Sequence, residues 1–246
     1  RRLPDGRNRG LPSGRMMEFD EWETVYEAIL ADFGYDRTAD ERARDVLADL
    51  AEPFDLDRLS SADGATVAIV GAGPSLQDDL ATAHEADLVF AASTGADVCL
   101  DAGVGVDAMI TDLDKNPETA RELTERNVPV AVHAHGDNVG AVRDFVPTFD
   151  AAFVLPTTQA APAGPVRNFG GFTDGDRAAF LADHLGAAEL RFPGWDFDDP
   201  AVGEEKRRKL EWAERLLYWL ERRRGDRFSV LDGRRRAIDR RALPIE

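Results

Sequence analysis

Residues 65–76, ATVAIVGAGPSL, read as a buried strand that runs straight into a turn and the start of a helix. Val67 to Val70 form an unbroken apolar run, as a strand covered on both faces requires. Gly71 and Gly73 give the backbone room to turn, and Ser75 stands where a helix is capped. Glycines ahead of a helix start also let phosphate oxygens approach main-chain N–H groups. The spacing is not G-x-G-x-x-G, because Leu76 holds the third glycine place and Pro74 intervenes. An ordinary βα turn therefore stays open beside a nucleotide phosphate loop.

The same period continues downstream. Leu88 to Ala92 reads as a second strand, followed by a short helix, Ala96 to Ala102. Asp107 to Thr111 reads as a third, followed by a helix from Asn116 and Pro117 to about Arg126. Val128 to Ala134 is a fourth, ending in His135, Gly136, Asp137 and Asn138. Ala151 to Leu155 and Glu189 to Phe192 complete the set. Between them lies a helix, Arg177 to Leu185, capped by Asp174 or Asp176 and closed by Gly186. Strands alternating with helices predict an α/β core over 65–202, a Rossmann-like, mostly parallel sheet flanked by helices. Apolar residues spaced by three and four predict an N-terminal helical segment over 16–64, from Phe19 to Gly34 and about Asp40 to Leu50, serving packing. Over 203–246 a basic helix, Glu204 to Arg224, precedes a hairpin around Asp232 and Gly233. Residues 1–15 show no periodicity and read as a disordered or non-native extension.

The 246 residues carry 47 acids against 30 bases, a net charge of −17. That charge opposes binding to nucleic acid or anionic membranes. It fits a protein kept soluble in concentrated salt, where screening over a few ångströms removes self-repulsion, so every acidic motif is discounted accordingly. Only three bases are lysine: Lys115, Lys206 and Lys209. Residues 16–202 hold 37 acids and 11 bases, whereas 203–241 hold 8 acids and 14 bases. The basic tail is expected to pair with the acidic body of its own or a neighbouring subunit. The single Cys99 excludes an intrachain disulfide and a cysteine-built zinc site. No apolar run nears the ~20 residues that cross a bilayer, and no signal-peptide core is visible, so a cytoplasmic location is expected.

Successive strands stop in small or polar residues at what should be one edge of a parallel sheet, the edge where ligands bind. The most specific of these ends is VDAMITDLDK, 106–115. Asp112 and Asp114 project from the same side and repel unless a cation lies between them. Such oxygen ligands suit Mg²⁺, with water and phosphate completing its shell. A solvated turn in an aspartate-rich chain is the competing reading. Asp137, just past the fourth strand, is a further ligand candidate, while His133 and His135 lack a third nitrogen or sulfur ligand for zinc. The long loop after Leu155 is of a length that is functional or disordered. Trp195 and Asp196, past the last strand, suit stacking on a flat ring and hydrogen-bonding its nitrogens, unless the tryptophan is a packed corner.

Together, GAGPSL (71–76), ASTGAD (92–97), TDLD (111–114), HAHGDN (133–138), NFGGFTDGDRA (168–178) and GWDF (194–197) resemble the archaeal 6-hydroxymethyl-7,8-dihydropterin diphosphokinase family over about residues 65–200. The stretch from Ala92 to Asp114 is also similar to the catalytic domain of thiamine pyrophosphokinases. It departs from that pattern with Ser93 and Thr94 at the acidic turn, Val106 for proline, Thr111 for glycine and Lys115 for serine. The resemblance implies transfer of the β,γ-diphosphoryl group of ATP to the hydroxymethyl oxygen of a dihydropterin, leaving AMP, in folate or methanopterin synthesis. It implies Mg²⁺ on the catalytic acids Asp112 and Asp114, with Asp137 a third direct or water-mediated contact. Gly71, Gly73, Ser75 and Thr94 would hold nucleotide phosphate, with Lys115, Asn168, Asp174 and Arg177 around it. The loop from Asn168 to Asp176 would close over the site, and Trp195 and Asp196 would meet the ring. The implied partners are ATP and hydroxymethyl dihydropterin, without nucleic acid or membrane. Thiamine pyrophosphokinase relatives point to a homodimer, for which the apolar face of the tail helix offers an interface. A related enzyme with another acceptor, a nucleotide-sugar glycosyltransferase and a nucleotide-binding regulator without turnover stay open.

Overall fold

Two helices, α1 (Phe19–Phe33) and α2 (Arg37–Leu50), come first. They are followed in order by β1 (Thr66–Val70), α3 (Leu76–His84), β2 (Leu88–Ala92), α4 (Gly95–Asp101), β3 (Ala108–Thr111), α5 (Pro117–Glu125), β4 (Val130–Ala134), α6 (Val139–Phe145), β5 (Val154–Thr158), α7 (Asp174–His184), β6 (Glu189–Arg191) and α8 (Glu204–Arg224). The computed structural model describes residues 17–245, so the extension expected over 1–15 lies outside the described residues. The six strands form one sheet in the order β5-β4-β3-β2-β1-β6, and every pairing is parallel. The chain steps outward from β1 to β5 and then returns to place β6 on the other side of β1. The reversal of strand order therefore falls between β1 and β6, where ligands bind in open parallel sheets.

Alternation along the strands divides the interior into two cores. Val67, Ile69, Phe90, Ile110 and Leu155 face α1, α7 and α8, while Ala68, Val70, Val89, Met109 and Val132 face α2 through α6. The two N-terminal helices thus lie in different cores. On the first face Trp22 stacks on Trp219 with ring centroids 6.4 Å apart. Leu216, Leu217 and Leu220 of α8 are fully buried beside them. The apolar face of α8, expected to offer a homodimer interface, is therefore covered within the chain by α1 and α7. The basic tail pairs with the acidic body, as expected: Arg208 with Asp32 at 3.3 Å, Arg224 with Asp183 at 2.7 Å, and Arg223 with Glu21.

Three elements differ from expectation, the first being α7, which starts at Asp174, three residues before the expected Arg177. The fifth strand starts three residues late because Asp150 accepts from the Ala152 N–H at 3.0 Å and caps a 3₁₀ turn over Ala151–Phe153. Pro156 is tolerated in the strand because β5 is at the sheet edge. No hairpin forms around Asp232 and Gly233, and no strand follows β6 among the described residues. Arg235 folds back onto the buried Glu221 carboxylate (2.6 Å) and the Phe228 carbonyl (2.7 Å), closing the turn with an ion pair instead of a strand ladder. No helix among the described residues is long and apolar enough to cross a membrane.

Candidate active site

The loops leaving β1 through β6 converge with α7, α8 and the α1–α2 turn on a cavity of about 540 Å³. Asp112 leaves β3, and Leu113 follows with φ +67, its side chain 2% exposed. The buried leucine anchors the turn, so the two aspartates straddle it at the cavity wall. Asp112 Oδ1 accepts the Asp114 N–H at 3.2 Å, and His135 Nε2 lies 3.4 Å from Asp112 Oδ2. Burial alone would raise the Asp112 carboxyl. Hydrogen bonds to His135 and Asp114 and the Arg177 charge outweigh it and hold the group well below the usual carboxylate range. Burial, with the hydrogen bond and charge of Asp112, pushes Asp114 up. Such a pair shares a proton or a cation. Among the described residues no three His, Cys, Asp or Glu side chains are grouped to hold a metal. This donor set fits Mg²⁺, which takes one or two protein carboxylates and fills its shell with water and phosphate oxygens. Asp137, expected as a third ligand, is exposed at the cavity wall and is not grouped with the pair.

Gly71 and Gly73 line the cavity, and packing alone requires them. A Cβ at Gly71 would collide with the Gly194 carbonyl oxygen, and one at Gly73 would lie 2.7 Å from it and against the Asp196 carboxylate. The first turn is thereby clamped to the loop after β6, across the reversal of strand order. Ser75 is a correction. Its N–H donates to Asp196 Oδ2 at 2.9 Å and its hydroxyl to Asp79 Oδ2 at 3.2 Å, its side chain caps nothing, and it does not line the cavity. Trp195 and Asp196 do line it. Trp195 is also a packed corner, its Nε1 donating to the Ile69 carbonyl at 2.8 Å and its ring set against Phe192 and Phe197.

Arg177, 8% exposed, is held from two sides, Nη1 donating to Asp174 at 2.9 Å and Nη2 to Gln159 Oε1 at 3.2 Å. Gln159 Nε2 donates in turn to Asp40 at 2.7 Å, and Asp40 also accepts from Tyr26 and from the Gly136 N–H, both at 2.8 Å. The N-terminal helices, read from sequence as packing, thus brace the site. Asp174 lines the cavity beside Arg177, which it holds. The cap of α7 is Thr173, in a reciprocal box with Asp176.

Asn168, expected near the nucleotide, stands outside the cavity. Its Nδ2 donates to the Gln159 and Ala160 carbonyls at 2.9 and 2.8 Å, and its Oδ1 accepts from Gly170 at 2.8 Å. The loop it begins is no lid, since Phe169, Gly170, Gly171 and Phe172 are buried. Its two glycines turn the chain at φ +90 and +93. His133 is buried 3.1 Å from Thr157 Oγ1, and burial, the Arg177 charge and His135 hold its pKa well below the ordinary value.

Burial, with the charges of Asp112 and Asp114, pushes the Asp174 carboxyl up to about 7 against the pull of Arg177. Its folded pKa lies above its unfolded value, so between the ordinary carboxylate range and about pH 7 the metal-free folded state binds the extra proton. Stability from this group is lost as pH rises through that window. Thermal melts of the metal-free protein and of Asp174→Asn across this range check it. The melting temperature of wild type relative to the variant should fall from pH 4 to 7, and a constant difference would refute the assignment.

Sequence reasoning missed the contribution of α8. Lys206 and Lys209 line the cavity with Lys115, so all three lysines of the chain meet there while the surface uses arginine. That compositional oddity was the available signal. Burial first, and the Lys115 charge second, lower the Lys206 pKa, whereas Lys209 pairs with Glu205 at 3.1 Å. Thr94 also lines the cavity.

A parallel α/β sheet with an acidic pair and converging cations beyond its strand ends, at the reversal of strand order, defines a Rossmann-like protein with its cavity where open parallel sheets bind ligands. The family profile described as 6-hydroxymethylpterin diphosphokinase MptE-like matches residues 44–201. The chain belongs to that family. A 6-hydroxymethyl-7,8-dihydropterin pyrophosphokinase of Methanothermobacter thermautotrophicus is 38% identical over 225 residues, covering 84% of this chain and 96% of the relative. Relatives of the same name from Pyrococcus furiosus and Methanocaldococcus jannaschii are 37% and 32% identical, each over 83% of this chain and 95% and 96% of their own lengths. A solved Maf glycosyltransferase from Magnetospirillum magneticum matches at 22% identity and TM-score 0.35, over 66% of this chain and 29% of its own, a likeness too remote to carry weight.

Proposed function

We propose that this chain transfers the β,γ-diphosphoryl group of ATP to the hydroxymethyl oxygen of 6-hydroxymethyl-7,8-dihydropterin, releasing AMP, with Mg²⁺ as cofactor. The observation that carries the reading is the meeting in one cavity of Asp112 and Asp114 with Lys115, Lys206 and Arg177. Phosphoryl transfer needs in-line positioning and neutralised oxygens more than covalent help from protein. Asp112 and Asp114 would hold Mg²⁺, which neutralises phosphate charge when bound; Asp137 would act through water. Lys115, Lys206 and Arg177 meet the triphosphate, with Asp174 and Gln159 fixing the guanidinium plane. The Gly71–Gly73 turn and Thr94 line the phosphate path. Trp195 gives a flat, immobile wall for the ring, and Asp196 offers it the oxygen that Ser75 does not engage.

Incubating the protein with ATP, Mg²⁺ and the dihydropterin in concentrated KCl should yield AMP and pterin diphosphate in equal amounts. ADP in place of AMP, or AMP formed only with another alcohol, would overturn the assignment. The acidic surface adds the expectation that activity needs high salt.

A further inference from the structure

We infer that the Ser93 hydroxyl donates a hydrogen bond to a phosphoryl oxygen of the bound polyphosphate, on the β,γ side that is transferred. This rests on the reading that a nucleoside triphosphate occupies the cavity. Ser93 is the first residue after β2. Its N–H donates to the Ile110 carbonyl at 2.9 Å, which sets it level with the end of β3 where Asp112 begins. Its φ is +47, a left-handed conformation that a Cβ disfavours.

Only two other described non-glycine residues have positive φ, and each has a local reason. Asn127 is of a type that tolerates this region, and Leu113 is anchored by its buried side chain. Ser93 has neither. Glycine would adopt the conformation freely, so the serine adds only its hydroxymethyl group. That hydroxyl is buried, the residue being 7% exposed, has no hydrogen-bond partner, and belongs to a residue lining the cavity.

A buried hydroxyl without a partner is costly, and a strained one doubly so, unless something outside the chain completes it. The turn is also braced. The Ser93 carbonyl accepts from Asn116 Nδ2 at 3.2 Å, and Asp97 holds the same amide at 2.7 Å. Ser93 is thereby tied to the segment that follows the acidic pair. The missing partner is an acceptor close to Asp112 and to the cavity cations, and a phosphoryl oxygen is the acceptor that those cations draw in. A hydroxyl bonded to an anionic oxygen makes a charge-assisted bond.

Ser93→Gly and Ser93→Ala test this with calorimetric titration of ATP and of AMP in the presence of Mg²⁺, and with thermal melting. Both variants should bind ATP about tenfold more weakly, with AMP affinity unchanged, since AMP lacks the transferred phosphates. Ser93→Gly should melt above wild type because its strain is relieved. Variants that bind ATP as wild type does, or that lose AMP and ATP affinity equally, overturn the contact. If wild type binds ATP and both variants show the selective loss, yet no pterin diphosphate forms, the contact stands and the proposed reaction falls.

Discussion

Asp112→Asn is expected to lower AMP formation by about 10²–10³-fold, the order of cost of removing one preorganised electrostatic group, and the metal-free protein should melt below wild type at neutral pH, because a carboxyl held below its ordinary pKa stabilises the fold wherever it is charged. The two halves of this expectation have one cause. The Asp112 backbone is pinned, its carbonyl accepting from Asn138 Nδ2 at 2.8 Å, so asparagine keeps the turn and the volume. What it loses is the negative charge, which His135 and Arg177 favour in the metal-free protein and which holds Mg²⁺ in the proposed complex. Activity of the variant within tenfold of wild type at saturating Mg²⁺ would remove Asp112 from the site. A melting temperature equal to or above wild type at neutral pH would show that His135 and Arg177 do not favour the Asp112 charge. Both are read from one preparation by product assay and thermal melt.

Asp176→Ala carries the largest expected stability effect. The side chain is fully buried at the start of α7 and accepts from the Phe172 and Thr173 N–H groups and from the Thr173 hydroxyl at 2.6 Å. Alanine strands the buried Phe172 donor, at about 1–3 kcal/mol, and the half-buried Thr173 donor, and removes half of a reciprocal cap. A loss of about 3 kcal/mol or more follows, or roughly a 10 °C fall in melting temperature for a domain of this size. Asp176→Asn keeps one acceptor oxygen and should fall between. Because Asp174 and Arg177 sit in the first turn of the same helix, activity at low temperature should drop as well. A melting temperature within 2 °C of wild type would show that the loop holds its turn without the carboxylate.

Much of the fold was legible because its signals are local. The apolar runs at Val67–Val70 and Leu88–Ala92 and the three- and four-residue spacing in α8 report which backbone period buries the most surface, and β2 and α8 fall on their expected residues. β5 was misplaced because Asp150 offered its own backbone a capped turn, a side-chain hydrogen bond that hydrophobic patterning does not register. The hairpin failed for a related reason: a turn dipeptide is followed by Arg235, which finds a buried carboxylate fourteen residues back.

By itself the sequence determined the strand-helix alternation, the edge at which the strands end, and therefore the neighbourhood of Gly71, Gly73, Thr94, Asp112, Asp114, Lys115 and Asp137, because a parallel strand brings its last residues to a common edge wherever its neighbours lie. It also carried the family resemblance in those same loops. Tertiary structure alone decided which polar groups remain free to meet a ligand. Ser75 and Asn168 are spent on backbone and side-chain partners, Lys206 arrives from a helix about ninety residues beyond Lys115, and Asp40 and Gln159 are joined across 119 positions to hold Arg177. A hydrogen-bonding group acts on a ligand only with the valence its fold leaves unused, and that remainder is a property of distances in space, which spacing along the chain does not contain.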